Sequence, residues 1–399
     1  MNVKEKFLRY IQVETTSDER SDTCPSTPGQ WELARMLVEE LHAMGVSDAK
    51  VDGNCYVTAH IPAKGQRKTR LGLIAHMDTS DGVRGPTHPQ IIPTYDGGPI
   101  TLKNGTVIDG FSFLPDLRGQ ELIVTDGTSV LGADDKAGVA EIMQLAQELM
   151  TPDAPDHCAL SIGFTPDEEI GRGADRFDVA GFAADYAYTV DGGALGELEY
   201  ENFNAAACRV TVRGVNIHPG EAKNQMKNAA LIAMEWNSLL PPAEIPAHTE
   251  GYEGFYHLCG MSGDEESAQL DYIIRDHDAE KFAARLATVE GVTAFLNARY
   301  GEGTVECRVR ESYRNMRELM ENHMEVVERA KAAFQACGVE PIVQPIRGGT
   351  DGARLTYMGL PCPNLSAGGY NFHGRRELIP VPSLYRMVDV LRQLVTDAE

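Results

Sequence analysis

Basic residues are scarce in this sequence. Its 399 residues include 36 Lys and Arg against 59 Asp and Glu, a formal charge of −23 at pH 7. A chain this acidic repels nucleic acid and anionic membrane. It also lacks a G-x-G-x-x-G fingerprint, a P-loop and a basic patch. No stretch reaches the about 18 consecutive apolar residues that a membrane-spanning helix needs. The opening MNVKEKFLRYIQVETTS has no apolar signal-peptide core and no cleavage signature. The eight cysteines, Cys24, Cys55, Cys158, Cys208, Cys259, Cys307, Cys337 and Cys362, form no C-x-x-C pair. This scatter predicts free, mostly buried thiols in a reducing, cytoplasmic compartment, and it argues against a thiolate zinc site. A metal held here must rely on His and carboxylates.

What is present reads as a large globular chain: 42% hydrophobic and 24% charged residues suit one large domain or two smaller ones. The opening segment predicts an amphipathic helix with Val3, Phe7, Tyr10 and Ile11 on one face. Thr27-Pro28-Gly29-Gln30 has a capping-box pattern. The helix after it should bury Trp31, Ala34, Leu37, Val38 and Leu41, and Gly45 should end it. Short apolar runs at 71–75, 121–124, 159–164 and 186–190, with a helix over 137–149, predict an α/β domain. Its sheet should be mostly parallel and flanked by helices. The rhythm changes near residue 203. Strands at 208–213, 269–275 and 304–310 alternate with helices at 226–240 and 279–299, which predicts an inserted smaller α+β domain over 203–315. Residues 1–202 and 316–399 then form one discontinuous domain.

The chemistry concentrates where predicted strands end or helices begin. His76-Met77-Asp78 follows the run 71–75, and the carboxyl ends of strands are where ligands gather in open α/β sheets. Asp78 can hold the imidazole's orientation. Asp134 and Asp135 sit between a glycine and a helix start; one carboxylate can bridge two cations while the other caps the helix. Asp167-Glu168-Glu169 follows the run 159–164, and three adjacent acids repel one another unless a cation relieves them. Asp191-Gly192-Gly193 follows the run 186–190, and His373 lies in a glycine-rich loop far down the chain. Taken singly, each has a plain structural reading as a cap, a turn or an exposed loop residue. Together, two His and several carboxylates without Cys suit a pair of Zn²⁺ ions, although Co²⁺ or Mn²⁺ fit the same donors.

This set of residues, in this order, resembles the M20 family of co-catalytic metallopeptidases and, within it, the branch that removes the N-terminal residue from tripeptides. The phrases that carry the resemblance are PSTPGQW, AHMDTS, VLGADDKAGVAEIM, FTPDEEIGRGA, YTVDGGALGELEYENFNAA, NIHPGEAK, EGYEGFYHL, YIIRD, IRGGTDGA and GLPCPNLSAGGYNFHG, from about residue 25 to 375. The resemblance implies a zinc-exopeptidase type fold with a lid-like or dimerisation-like insert, and two Zn²⁺ per subunit. His76 and Asp191 would hold one ion and Glu169 and His373 the other, with Asp134 bridging. Glu168 would be the general base and Asp78 would orient His76. It further implies that His218 assists at the oxyanion and that Arg347 binds a peptide's C-terminal carboxylate; a structural ion pair, for example with Asp351, is the plainer reading of Arg347. The expected partners are short peptide substrates, with a homodimer through the insert as a possible assembly. Sister activities of the family (dipeptidase, carboxypeptidase, N-acyl amino acid deacylase) share the same metal set, and a non-catalytic binding protein is the remote alternative.

Overall fold

The computed structural model describes residues 1–398. They divide into two compact units: Met1–Tyr200 with Glu318–Gln344 and Thr350–Glu399, and Glu201–Arg317 with Pro345–Gly349. The five residues Pro345–Gly349 therefore group with the second unit, whereas the change of rhythm in the sequence placed everything after 316 in the first.

In the first unit, helix Val3–Tyr10 is closed at its start by a reciprocal capping box between Asn2 and Glu5. Val3, Phe7, Tyr10 and Ile11 are buried, as the periodicity predicts. Helix Gly29–Met44 ends at Gly45 with φ 97°. Its predicted capping box does not form, and Pro28 stands at the N-cap without a side-chain bond. The buried stripe runs through Gln30, Leu33, Ala34, Leu37 and Leu41, leaving Trp31 and Val38 only half-buried.

The central sheet has eight strands. Its core is parallel: Arg70–His76 lies between Ala159–Thr165 and Tyr186–Val190, and Asn364–Leu365 continues beyond the latter. Val57–Ile61 adds antiparallel to the outer side of Ala159–Thr165. Six of the seven residues of Arg70–His76 are buried, the composition of a strand covered on both faces. Helix Ala133–Leu149 packs across this strand, and helix Val381–Asp397 packs on that helix. A cluster of Ile74, Ala187, Phe177, Phe182 and Leu355 forms a further part of the core. Gly138 permits the close approach of the helix: a Cβ there would lie 2.0 Å from the Val190 carbonyl oxygen. The run at 121–124 departs from expectation. Leu122–Thr125 is a strand, but it pairs antiparallel with Pro89–Ile92 and Leu378–Pro380 in a separate small sheet.

The second unit is a four-stranded antiparallel sheet with Asn204–Arg213 and Ser267–Asp276 in the middle, and Phe255–Gly263 and Val305–Tyr313 at the edges. Helices Ala229–Ser238 and Ala279–Tyr300 cover it, burying Trp236, Ile232, Phe282, Val289 and Leu296. Phe255–Gly263 is the strand that periodicity missed: beyond Tyr256 it is mostly exposed, so it shows little apolar alternation.

Candidate metal centre

Parallel register brings the strand ends together. His76 is level with Thr165, Ile74 with Thr189, and Leu365 with Val190. The residues that follow each strand therefore emerge on one rim of the sheet. Asp191 is tied to the neighbouring strand by its N–H, which donates to the Leu365 carbonyl at 2.8 Å. Helix Ala133–Leu149 opens at the same rim. Asp134 and Asp135 have non-helical backbone angles, so regular helix begins after them. The two aspartates divide their work. Asp135 is buried; its Oδ2 accepts from the His76 N–H at 3.1 Å and its Oδ1 from the Gly138 N–H at 3.3 Å. Asp134 turns both oxygens outward: Oδ1 is 2.9 Å from His76 Nε2 and Oδ2 is 2.9 Å from His373 Nε2.

Two donor sets result, and they share one residue. His76, Asp134 and Asp191 form one, and Asp134, Glu169 and His373 the other. In each set the candidate ligand atoms lie within 4.8 Å of one another. Asp191 Oδ1 is 3.4 Å from His76 Nε2, and Glu169 Oε2 is 3.0 Å from His373 Nε2. The other Glu169 oxygen, Oε1, is buried without a hydrogen-bond partner among the described residues. A buried carboxylate oxygen in that state needs a cation or a donor, so the residues present fit a pair of metal ions.

The turn that carries Glu168 and Glu169 is held from outside. Asp167, fully buried, has φ 59°, in the left-handed region. Its carboxylate accepts from the Ser26 N–H, the Ser26 hydroxyl and Gln30 Nε2, and Gln30 Oε1 accepts from its N–H. The PSTPGQW phrase thus clamps the turn that carries Glu168 and Glu169 instead of supplying a capping box. On the other side, Asp78 accepts from the Glu168 N–H at 2.9 Å and the Glu169 N–H at 3.2 Å. His76 Nδ1 is 3.0 Å from the Asp78 carbonyl oxygen and 3.4 Å from its carboxylate. Asp78 therefore touches both the imidazole and the turn.

The electrostatics of the cluster favour positive charge. Burial pushes Glu168 well above the ordinary carboxylate value, and Asp191, Asp351 and Glu169 add to it. Burial and Asp134 push Glu169 up to about 7. Burial also raises Asp191. For Asp134 burial acts upward too, but the hydrogen bonds from His373 and His76 outweigh it and hold the carboxyl low. His373, bonded to Asp134 and Glu169, is pushed up to about 11. Burial opposes charge on His76, yet Asp191, Asp134 and Asp78 raise it well above its usual value. Protons on these imidazoles and carboxyls occupy the donor atoms that a divalent ion would take, and would be released when it binds.

Two acids were not singled out in the sequence as members of this site. Asp351 is buried, accepts from the Thr165 hydroxyl at 2.8 Å, and is pushed by burial up to about 7. Glu377 is 1% exposed and accepts from four successive backbone N–H groups, those of Leu131 to Asp134. The only sequence signal for Glu377 is its place four residues after His373.

His218 and Arg347 lie in the second unit. His218 is exposed, and its Nδ1 accepts from the Gly220 N–H at 3.2 Å, which leaves Nε2 as the proton-bearing nitrogen of the neutral ring. Arg347 donates from Nη1 to the Gly251 and Glu253 carbonyls and from Nη2 to Thr249, and its guanidinium lies over the rings of Phe203 and Phe255.

The model of peptidase family M20/M25/M40 matches residues 131–397. The chain belongs to this family, and the shared-carboxylate donor set is that of a metal-dependent hydrolase. It is 51% identical over 399 residues to Peptidase T of Halothermothrix orenii, a match that covers 98% of each chain. Its fold is similar to aminopeptidase PepT from Bacillus cereus (TM-score 0.78, 22% identity, covering 100% of this chain and 98% of that one). It is equally similar to a tripeptidase from Staphylococcus aureus (TM-score 0.78, 21% identity, covering 99% and 97%). Among the described residues no helix is long and apolar enough to cross a membrane.

Proposed function

We propose that this chain is a tripeptide aminopeptidase that works with two Zn²⁺ ions, His76 and Asp191 holding one, Glu169 and His373 the other, and Asp134 bridging. The observation that supports it most is the single carboxylate shared between two donor sets, one of which includes Glu169, the chain neighbour of Glu168, in a chain half-identical to Peptidase T. When bound, such a metal pair supplies Lewis acidity to the scissile carbonyl and lowers the pKa of the attacking water. Glu168 takes the proton from that water on its carboxylate and returns it to the departing amine. Asp78 keeps Glu168 in place through the backbone and His76 through its ring. Asp167, Ser26 and Gln30 fix the turn from the far side.

His218 and Arg347 are the second unit's contributions to the same reading. His218 Nε2–H is a free donor for an oxygen that gains charge. Arg347 would hold a peptide carboxylate by exchanging neutral carbonyl acceptors for a charged one, a favourable exchange. Eight free cysteines support a reducing, cytoplasmic setting. The test is product identification by mass spectrometry on the zinc-loaded protein given a tripeptide, its N-acetylated form, a dipeptide and an N-acyl amino acid. Release of only the first residue, from the free tripeptide alone, is the expected result. Cleavage of the dipeptide or of the acyl group would move the chain to a sister activity.

A further inference from the structure

His373 presents a physical problem. Its side chain is 55% exposed and its φ is 61°; its carbonyl lies against Gly82, where a Cβ would come within 2.4 Å of the oxygen, so the backbone is packed but the imidazole is not. Yet its Nε2 meets Asp134 Oδ2 at 2.9 Å and Glu169 Oε2 at 3.0 Å. Something else must set that distance. The loop is closed by mutual backbone bonds between Tyr370 and Leu378, and Leu378 is paired with Val124 in the small sheet. Tyr370 also stacks on Phe113 with ring centroids 4.2 Å apart. These contacts fix the base of the loop, but they do not connect it to Asp134.

Glu377 makes that connection. It lies on the closing arm of the same loop, its N–H bonded to the Gly374 carbonyl at 3.2 Å. Its Oε2 accepts from the N–H groups of Leu131 at 2.7 Å and Gly132 at 3.0 Å, and its Oε1 from those of Ala133 at 2.7 Å and Asp134 at 3.2 Å. Four successive N–H groups converge because Gly132 takes φ 79°; a left-handed residue in such a run folds the backbone into an anion-binding concavity. The last of the four belongs to the shared ligand itself. A neutral side chain could satisfy only part of this arrangement, and the amide of a glutamine would set N–H against N–H on one side.

We infer that Glu377 is the positioning residue that locks the His373 loop to the backbone of Asp134, and so sets the geometry of the second donor set while leaving the first intact. This rests on the proposed two-metal reading, but its test does not depend on peptidase turnover. The substitutions are Glu377→Gln and Glu377→Asp, studied in the full chain. Co²⁺ is titrated into metal-free protein, followed by calorimetry and by its visible absorption, with hydrogen exchange recorded across 131–134. Wild type is expected to take up two ions. Glu377→Gln is expected to keep one ion at wild-type affinity and to bind the other about 10- to 100-fold more weakly, the usual effect of losing a partner that orients a ligand. Exchange at 131–134 should speed up, and kcat should fall more than KM rises. Glu377→Asp, which keeps the charge one methylene short, should recover part of the affinity; it also carries the comparison if the Gln variant does not fold. Two wild-type affinities in Glu377→Gln would overturn the inference. So would equal weakening of both ions in step with a general drop in Tm, which would make Glu377 a fold residue only. If wild type binds two ions but leaves tripeptides intact, the proposed substrate falls and the role of Glu377 is judged on ion affinity as before.

Discussion

The two donor sets share Asp134 but are built differently. His76 ends one central parallel strand and Asp191 follows another, and their side chains are 2% and 16% exposed. Glu169 sits on a three-residue 3₁₀ turn, and His373, on a loop, is 55% exposed. The first set takes its geometry from the sheet. The second must be held by added clamps: Asp78 and Asp167 on the turn, and Glu377 on the loop. Rigid elements place ligands accurately without help, whereas loops need a supporting layer of hydrogen bonds.

The largest effect should come from breaking both sets at once. Asp134→Ala should reduce metal content from two ions to none and turnover to background, measured by elemental analysis and tripeptide assay. Glu168→Gln should leave both ions in place yet lower kcat by about 10²- to 10⁴-fold; a near-normal rate would remove Glu168 from the mechanism. His373→Ala should separate the sets, leaving one ion bound through His76, Asp134 and Asp191. Loss of both ions would show that the first set does not stand alone. A smaller effect is expected from the clamp on the turn. Gln30→Ala deprives the buried Asp167 carboxylate of one donor and should cost about 1.5–3 kcal/mol in urea unfolding, with kcat/KM falling about ten- to a hundredfold. Metal content should stay at two.

The smallest effect concerns a buried acid to which the mechanism gives no part. Glu141, on the helix that opens with Asp134, is fully buried with neither oxygen partnered among the described residues, and burial pushes it well above its ordinary value of 4.5. The folded chain therefore keeps this proton after the unfolded chain has released it. Its contribution to stability is complete below about 4.5 and declines as pH rises from there toward the folded value. Glu141→Met should stabilise the protein at neutral pH by about 1–3 kcal/mol and flatten this part of the pH dependence. A variant less stable than wild type at pH 7 would mean that Glu141 has a partner in solution.

Much of this could be read in the chain. The parallel core was legible because its strands are buried on both faces and bounded by acids and glycines. His76, Asp134, Asp191 and the Glu168-Glu169 pair stand out because each follows a strand or opens a helix. The supporting residues were not legible. Gln30 looks like a cap, and Asp167 like one more acid of a turn, until the fold brings the two together. Glu377 is a single charge after two arginines, and its four donors lie some 240 positions earlier. The run at 121–124 shows the opposite failure. Its apolar character is real, but a small antiparallel sheet uses the same residues as a parallel one would, and only pairing distinguishes them.

The order of ligands along the chain also has a consequence in time. During synthesis His76, Asp134, Glu169 and Asp191 leave the ribosome one after another, and His373 follows Asp191 by 182 residues. At the usual rate of about 5–20 residues per second, the interval is roughly ten to forty seconds. Glu377, which gathers the Leu131–Asp134 backbone, arrives later still. A chain that ends before residue 373 carries one donor set and no complete second one. A nascent chain of that length should therefore be inert toward the peptides around it.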